Sequence, residues 1–239
     1  MKTLSVIVSS YNQLKLLELA MESYSVQSSK PLEVIVSDDG SEDGTAEWIV
    51  SQTFNFEVQF VSGSHNGYGI VSAFNRAAAK ARGSRLLFTN ADVIHCPASF
   101  YDHCEIEHDM VGIGIIAGLK KLETDLLIGH TRDMCRMECF RKVSVWDNGD
   151  FRGTNVNQNH VAACSGNLSM SADNFRAVGG FDEDYNGKWG CEDYDIIDRL
   201  KDVGVLMEWA KKSVGYHIAH PTADYVKARL GCKQYFDRK

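Results

Sequence analysis

The sequence predicts an α/β fold in which a single, mostly parallel central sheet is flanked by helices. Short continuous apolar segments, typical of strands buried on both faces, recur through the first half of the chain. Segments with apolar residues at helical spacing separate them, and this alternation is typical of parallel strands joined by helices. In addition, a polar cluster follows three of the apolar segments, which predicts a ligand site along one edge of the sheet.

Each element of the first half has its own signal in the sequence. The strands are predicted at Leu4–Ser9, Leu32–Ser37, Glu57–Val61 and Arg85–Thr89. The helices are predicted over a segment with Leu14, Leu17, Met21 and Tyr24 facing inward, around Thr45–Ser51, and over Gly69–Arg82. Asn12 is predicted to cap the first helix, and Gly83 to end the third.

The second half of the chain is less regular. Val111–Ala117 is predicted as a strand, Asp193–Val203 as a helix, and Tyr216–Pro221 as a short strand or loop. The polar stretch Leu119–Asn159 shows no clear periodicity and is interpreted as part of an acceptor wall or a mobile loop. Because no repeat or linker interrupts the chain, residues 1–239 are predicted to form one domain.

Composition narrows the functional classes. The net charge of −7 and the lack of a basic cluster argue against nucleic-acid binding. No segment approaches the roughly 20 apolar residues of a membrane span, and the short apolar start reads as a core strand rather than a signal peptide. The seven cysteines, an odd number without a Cys-x-x-Cys pair, favour reduced thiols and a cytoplasmic location. The spacing of Cys135 and Cys139 makes a zinc site there improbable without further ligands.

Three polar clusters follow predicted strands. They are Ser9-Ser10-Tyr11-Asn12, Ser37-Asp38-Asp39-Gly40-Ser41 and Thr89-Asn90-Ala91-Asp92. In a doubly wound sheet these clusters converge on one crevice. Such residues also favour turns and helix caps, but turns and caps do not require paired carboxylates.

The first hundred residues resemble glycosyltransferase family 2, whose members have the GT-A fold. The matching segments are Ser5–Asn12, Val34–Thr45, Asn66–Gly69 with Ala73–Arg76, and Gly83–Asp92. The resemblance implies a nucleotide-sugar site in residues 1–95 and an acceptor-binding, catalytic half in residues 96–239. It also implies that Ser9 and Tyr11 line the base and ribose, that Asp39 accepts a hydrogen bond from a uracil ring, and that Asn66 contacts the nucleotide.

By the same resemblance, Asp92 matches the last carboxylate of the family's metal-binding DXD motif. A divalent ion, Mn²⁺ or Mg²⁺, would neutralise the diphosphate of the leaving group, which an acidic protein binds poorly without a cation. Asn90 stands where the family has its first Asp. This departure keeps a catalytically inactive sugar- or nucleotide-binding module open as an alternative.

The second half resembles the C-terminal region of galactosyl- and N-acetylgalactosaminyltransferases. The matching segments are Gly166–Met170, Gly179–Glu183 and Trp189–Asp193. The resemblance implies that Asp193 is the catalytic base, that Glu192 binds a sugar, and that Trp189 with Gly190 lines the substrate site. Two acidic residues at the start of a helix also suit the helix dipole, so a purely structural role is the alternative.

The segment His217-Ile218-Ala219-His220-Pro221 completes the candidate site. Related transferases place a metal-binding histidine here, and this implies His220 as a ligand beside Asp92, with His217 as the second choice. One imidazole, one carboxylate and diphosphate oxygens suit Mn²⁺.

The predicted function is metal-dependent, inverting transfer of Gal, GalNAc or Glc from a UDP-sugar to a hydroxyl of a saccharide or glycoconjugate acceptor. A lipid-linked acceptor, and with it peripheral association with the inner face of the membrane, is left open. The partial glycine motif Gly67-x-Gly69-x-x-Ser72 supports a dinucleotide oxidoreductase only weakly. A sugar nucleotidyltransferase is disfavoured because no basic, glycine-rich loop follows the first strand.

Overall fold

The structure, a computed structural model, describes residues 2–119, 165–188 and 190–218. Its strands form an eight-stranded sheet in the order β3-β2-β1-β4-β7-β6-β8-β5. The strands are β1 (Leu4–Ser10), β2 (Glu33–Asp38), β3 (Glu57–Ser62), β4 (Arg85–Asn90), β5 (Val93–His95), β6 (Met110–Gly118), β7 (Leu168–Ser171) and β8 (Leu206–His217). The helices are α1 (Leu14–Ser25), α2 (Thr45–Ser51), α3 (Ile70–Ala78), α4 (Ser99–Glu105), α5 (Ala172–Ala177) and α6 (Glu192–Asp202), with a short 3-10 helix at Glu183–Tyr185.

The sheet joins a parallel part to a mixed part. Strands β3, β2, β1 and β4 run parallel to one another, as do β6 and β8. Strand β7 is antiparallel to both β4 and β6, and β5 is antiparallel to β8. Strand β7 therefore links the first half of the chain to the second within one sheet.

Helices cover both faces of the sheet, as the apolar strands predict. On β1, Val6 and Val8 face a cluster that contains Leu17 and Tyr24 of α1. Ile7 faces the opposite cluster, which includes Phe74 of α3. This alternation with a period of two places a core on each side of the strand.

Three predicted elements differ from the structure. Asn12 does not cap α1: its Oδ1 accepts a hydrogen bond from the Glu42 N–H, and the Leu14 N–H donates instead to Asp43, which lies 29 residues away in sequence. Helix α3 ends at Ala78, four residues before the predicted end. The predicted short segment at Tyr216 belongs to the 12-residue strand β8.

Strand β8 escaped prediction because a bulge interrupts its alternating pattern. Its register against β6 shifts between Gly114 and Ile115, where Ala210 and Val214 are the successive partners. Such a bulge inserts extra residues and breaks the period-two signal. The short elements β5, α4, β7 and α5 were also not predicted. Most of Leu119–Asn159, together with Cys135, Cys139 and Pro221, lies outside the described residues.

Among the helices of the described ranges, none is long and apolar enough to cross a bilayer.

Candidate active site

The three polar clusters lie side by side at the carboxyl edge of the parallel strands. Ser9 on β1 is the register partner of Ser37 on β2 and of Asn90 on β4. The Ser9 hydroxyl and the Asn90 Oδ1 are 2.9 Å apart in a hydrogen bond. The Asp39 N–H donates to the Ser10 carbonyl at 2.9 Å, which ties the second cluster to the first. The clusters thus lie next to one another at this edge, as the strand pattern predicts.

The adjacent carboxylates of the second cluster have separate environments. Asp38 Oδ2 accepts hydrogen bonds from the N–H groups of Gly40 and Ser41 at 3.0 and 2.7 Å, and its Oδ1 accepts the Ser41 hydroxyl at 2.5 Å. Asp38 therefore holds the turn. Asp39 makes none of these turn contacts, and its Oδ2 lies 3.0 Å from the Nδ1 atom of His65.

Tyr11, Asp39 and His65 form a compact group at the position where the family resemblance implies a nucleotide base. The rings of Tyr11 and His65 are stacked, with centroids 3.8 Å apart and an angle of 5° between their planes. Tyr11 is 39% exposed, so the stack borders solvent. Asn66 follows His65 and is exposed. Sequence reasoning missed His65, because a single histidine in a polar loop has no distinguishing pattern.

Asp92 and His217 lie together on the other side of β4. Strand β5 pairs with β8 so that Val93 is opposite His217. This pairing brings the side chain of His217 close to that of Asp92, which precedes Val93. The distance from His217 Nε2 to Asp92 Oδ2 is 3.4 Å, and Asp92 is buried. His220 lies outside the described residues. Within the parts of the chain that are described, no cluster of three or more metal-ligating side chains occurs.

Glu192 and Asp193 occupy the first turn of α6. The preceding residue, Cys191, has a φ of 67°, an uncommon backbone conformation for a residue other than glycine. Trp189 lies outside the described residues, and Gly190 is the first residue after it that the structure describes. The backbone therefore turns at Cys191, immediately before the two acidic residues that begin the helix.

Burial shapes the acidity of this pair. The pKa of Glu192 is raised, first by burial and then by the negative charge of Asp193, while the Glu192 and Gly190 backbone N–H groups partly offset both. The pKa of Asp193 is also raised by burial, against hydrogen bonds from the backbone N–H groups of Ser165 and Tyr194. Asp193 is enclosed by protein on most sides yet still partly exposed. A carboxylate of this kind is accessible and more basic than usual, which suits proton abstraction.

Strand β7 connects Asp193 to the edge that carries the clusters. Because β7 is antiparallel to β4, its beginning at Leu168 lies beside Phe88, near the end of β4. Ser165 precedes β7, and its N–H donates to Asp193 Oδ2 at 3.3 Å. The fold therefore brings the start of α6 toward the strand ends that carry Asn90. Sequence reasoning missed Ser165, whose role depends on a backbone N–H that any residue type supplies.

A buried polar network holds the segment after Ser165. Asn167 Oδ1 is 2.8 Å from His103 Nε2, and His103 Nδ1 is 2.9 Å from the Ser169 hydroxyl. The Ser213 hydroxyl also donates to Asn167 Oδ1, at 3.0 Å. Burial lowers the pKa of His103 to about 4, even though the Asn167 contact raises it. His103 is therefore neutral in the folded protein, and its contacts fit a proton on Nε2.

This network leaves no space for a side chain on the neighbouring strand. A Cβ added at Gly114 would lie 2.1 Å from Asn167 Nδ2. Asn167 Nδ2 donates to the carbonyls of Ile115 and Ser213, which flank the bulge between β6 and β8. Glycine is thus required at position 114 so that Asn167 can bridge the two strands.

Comparison with known proteins places these features in context. Residues 5–128, 124 of the 239, match the family model for glycosyl transferase family 2. Residues 152–221 match the family model described as the N-terminal domain of galactosyltransferase. These two matches correspond to the two resemblances predicted from the sequence.

Individual relatives span most of this chain. Validoxylamine A glucosyltransferase from Streptomyces hygroscopicus subsp. limoneus is 28% identical over 253 residues, covering 97% of this chain and 56% of that protein. The uncharacterized glycosyltransferase YfnE of Bacillus subtilis (strain 168) is 24% identical, covering 97% of this chain and 70% of that protein. The chain thus spans little more than half the length of the Streptomyces relative.

Solved structures share the fold. Staphylococcus aureus TarS 1–349 in complex with UDP-GlcNAc has a TM-score of 0.65 at 17% identity, covering 95% of this chain and 61% of that one. The mannosyltransferase PcManGT from Pyrobaculum calidifontis in complex with GDP-Man and Mn²⁺ has a TM-score of 0.62 at 19% identity, covering 96% and 60%. The predicted α/β fold of the GT-A type is confirmed. Because its first half matches the family model and its architecture matches solved glycosyltransferases, this chain belongs to glycosyl transferase family 2.

Proposed function

We propose that this chain is a metal-dependent glycosyltransferase that moves a sugar from a UDP-sugar to an acceptor hydroxyl with inversion. The observation that carries the proposal is the Glu192–Asp193 pair, in which Glu192 is buried and Asp193 is partly exposed. The Ser165 N–H joins Asp193 to the segment beside the end of β4. We therefore assign the polar clusters to the donor and this carboxylate to the catalytic base, linked through β7 and β4 of one sheet.

The donor nucleotide is assigned to the group around Tyr11. The Tyr11 ring offers a stacking surface for a base, and Asp39 offers a carboxylate that can accept a ring N–H. Ser9 and Asn66 are proposed to contact the ribose and the nucleotide. A uracil base satisfies both the stacking surface and the acceptor.

The residues at Asp92 fit a divalent cation. Donor atoms that share a cation with bonds of about 2.1 Å lie about 3 Å apart, close to the 3.4 Å between His217 Nε2 and Asp92 Oδ2. A carboxylate and an imidazole are ligands that Mn²⁺ accepts. We assign Asp92 and His217 to the cation, with His220 as a further proposed ligand and diphosphate oxygens completing the shell. When bound, the cation supplies charge neutralisation for the departing diphosphate.

Asp193 is proposed as the catalytic base. Its raised pKa lets the carboxylate accept the proton of the acceptor hydroxyl as that oxygen attacks the anomeric carbon. The attack breaks the bond between the anomeric carbon and the diphosphate oxygen, and it leaves the base protonated. Glu192 is proposed to bind a sugar hydroxyl, while Trp189 and Gly190 line the acceptor side.

The identity of the sugars is a further part of the proposal. The name of the Streptomyces relative favours glucose among the three candidate sugars. A saccharide acceptor, free or lipid-linked, is proposed to bind in the second half of the chain, residues 96–239, and the donor in residues 1–95. One domain and a cytoplasmic location, with or without peripheral membrane contact, are the simplest arrangement.

Substitution of Asp193, the proposed catalytic base, tests this mechanism. Asp193→Asn keeps the shape of the side chain but cannot take a proton, so we expect turnover to fall by about 10²–10⁴-fold while UDP affinity stays within twofold. Turnover is measured as UDP release from UDP-glucose with a saccharide acceptor, and affinity by calorimetry. Asp198→Asn, a change at a more exposed position of the same helix, is the matched control and should retain full activity. Undiminished transfer by Asp193→Asn would remove Asp193 from this role.

A catalytically inactive binding module is the second candidate. Its support is Asn90, whose Oδ1 already bonds the Ser9 hydroxyl and which lacks the charge of the family's first Asp. If the wild-type chain binds UDP-sugars but neither transfers nor hydrolyses any of a panel of UDP-Glc, UDP-Gal and UDP-GalNAc with Mn²⁺, this second function is favoured.

A further inference from the structure

We propose that the His65 imidazole competes with the nucleotide base for Tyr11 and Asp39 and must leave this position before the donor binds. This inference rests on the proposed donor site at Tyr11 and Asp39. The imidazole of His65 makes there the two contacts assigned above to the uracil ring: it stacks on Tyr11 and bonds the Asp39 carboxylate.

The His65 ring occupies both the stacking face of Tyr11 and one oxygen of Asp39. At a centroid separation of 3.8 Å and an angle of 5°, the Tyr11 and His65 rings are in face-to-face contact. No second ring fits between them, since stacked aromatic rings need about 3.5 Å of separation from each neighbour. The Asp39 Oδ2 atom is engaged at 3.0 Å by Nδ1. A base that used this face of Tyr11 and this oxygen would meet the imidazole.

The imidazole has a route out of the site. Its side chain is 35% exposed, so one side of the ring already faces solvent. Strand β3 ends at Ser62 and helix α3 begins at Ile70, so His65 lies in an irregular connection. The backbone of His65 lies close to Gly40, where an added Cβ would come within 2.9 Å of the His65 N atom. Rotation of the side chain toward its solvent-facing side is the movement that we infer clears the site.

The consequence is a reduced apparent affinity for the donor. When a site is open for only a fraction of the time, the apparent dissociation constant is the intrinsic constant divided by that fraction. If the ring is stacked in roughly 70–90% of molecules, UDP binds about three- to tenfold more weakly than it would to a site without the ring. His65 would then set the donor concentration at which the protein becomes occupied.

Calorimetric titration of UDP in the presence of Mn²⁺ tests this competition. We expect His65→Ala to bind UDP about three- to tenfold more tightly than the wild-type chain. His108→Ala, which removes another exposed histidine located beside Asp173, is the matched control and should bind as the wild type does. Thermal unfolding of all three proteins verifies that each is folded.

The outcomes separate this inference from the function beneath it. Weaker binding by His65→Ala would mean that the imidazole contacts the bound nucleotide, and equal binding would mean that it does not compete; either result overturns the inference and leaves the donor site intact. If neither the wild type nor His65→Ala binds UDP, the proposed donor is wrong and the inference is overturned with it.

A second measurement uses the unaltered chain. With ¹⁵N-labelled histidine, the His65 ring resonances, assigned by their loss in His65→Ala, carry the shielding of the stacked Tyr11 ring. Addition of UDP and Mg²⁺, which is diamagnetic and does not broaden the signals, should relieve that shielding as the imidazole leaves. Ring resonances that stay unchanged at saturating UDP would contradict displacement.

Discussion

Asp38 and Asp39 differ by one position in the chain, but their carboxylates face different surroundings in the folded protein. Asp38 is the acceptor for the turn that follows β2. Asp39 points to the Tyr11–His65 stack instead. One carboxylate thus holds the turn, whereas the other is the proposed acceptor for the nucleotide base, and substitutions at the two positions should have different consequences.

Alanine substitutions at these two positions separate the roles. Asp38→Ala leaves the turn N–H groups of Gly40 and Ser41 without their acceptor, so we expect a loss of about 1–3 kcal/mol in the free energy of unfolding. Asp39→Ala removes no acceptor of the turn, so we expect a smaller loss of stability than for Asp38→Ala. It should weaken UDP binding by tenfold or more, since a hydrogen bond to a charged group contributes about 1.5–3 kcal/mol. Urea unfolding and calorimetry measure the two effects. UDP binding of wild-type strength in Asp39→Ala would exclude Asp39 as the acceptor for the base.

Side-chain hydrogen bonds join strand β7 to helix α4, and the sequence of neither element alone predicts them. The Arg85 guanidinium of β4 donates to the Ser169 hydroxyl at 3.0 Å, and the same hydroxyl contacts His103 of α4. The network continues through Asn167 to the bulge in β8. Its members are buried, so each polar group depends on the others to replace water. The network thereby holds the β7 end from which Ser165 reaches Asp193.

The buried imidazole in this network makes stability depend on pH. The folded-state pKa of His103 is about 4, below the value of about 6.5 for an unfolded chain. Between these values the unfolded chain binds the additional proton, so the stabilising contribution is complete above pH 6.5 and is lost as the pH falls toward 4.

His103→Gln removes this titration. Near pH 7 the variant should be less stable by about 1–3 kcal/mol, because a glutamine amide does not reproduce the buried hydrogen bonds. The difference from wild type should shrink on acidification by up to about 1.4 kcal/mol per pH unit. Urea unfolding at intervals between pH 7 and 4.5 measures the trend, and His108→Gln, at an exposed position, is the control. A difference that stays constant with pH would show that His103 is not buried in its neutral form.

The sheet as a whole collects the candidate site from distant parts of the chain. The order β2-β1-β4 places the three polar clusters side by side. Strand β8 brings His217 next to Asp92, which lies 125 residues earlier in the chain. Because the proposed ligands belong to both halves of the chain, a donor complex that bridges them should stabilise the entire fold rather than one part of it.

Thermal unfolding tests this bridging. UDP binds only the folded chain in this scheme, so its binding with Mn²⁺ should raise the midpoint; a concentration one hundred times the dissociation constant contributes about 2.7 kcal/mol. Without Mn²⁺ the shift from UDP should be much smaller, because the diphosphate then lacks its cation.

Asp92→Asn should lose the effect of Mn²⁺ and retain the small shift from UDP alone, whereas Asp109→Asn, at an exposed position, should behave as the wild type does. Equal shifts from UDP in wild type with and without Mn²⁺ would contradict a cation at Asp92 and His217.

Much of the fold could be predicted because its signals are local. Strands β1, β2 and β4 are continuous apolar runs, and helix α2 begins and ends where its pattern does. The polar clusters could be predicted to meet because parallel strands end at one edge. The cap of α1 could not be predicted in the same way, because the acceptor for the Leu14 N–H is Asp43, which lies 29 residues away in sequence.

The amino-acid order alone thus specified the α/β class, the parallel strands and the polar residues that close them, because hydrophobic period and turn chemistry operate over a few neighbouring residues. Only the folded chain decided that His65 lies on Tyr11, that Ser165 contacts Asp193, and that a neutral histidine supports β7. These contacts join residues 28 to 66 positions apart, or place a loop side chain over a strand end. Their geometry depends on strand order and register, which no local pattern contains.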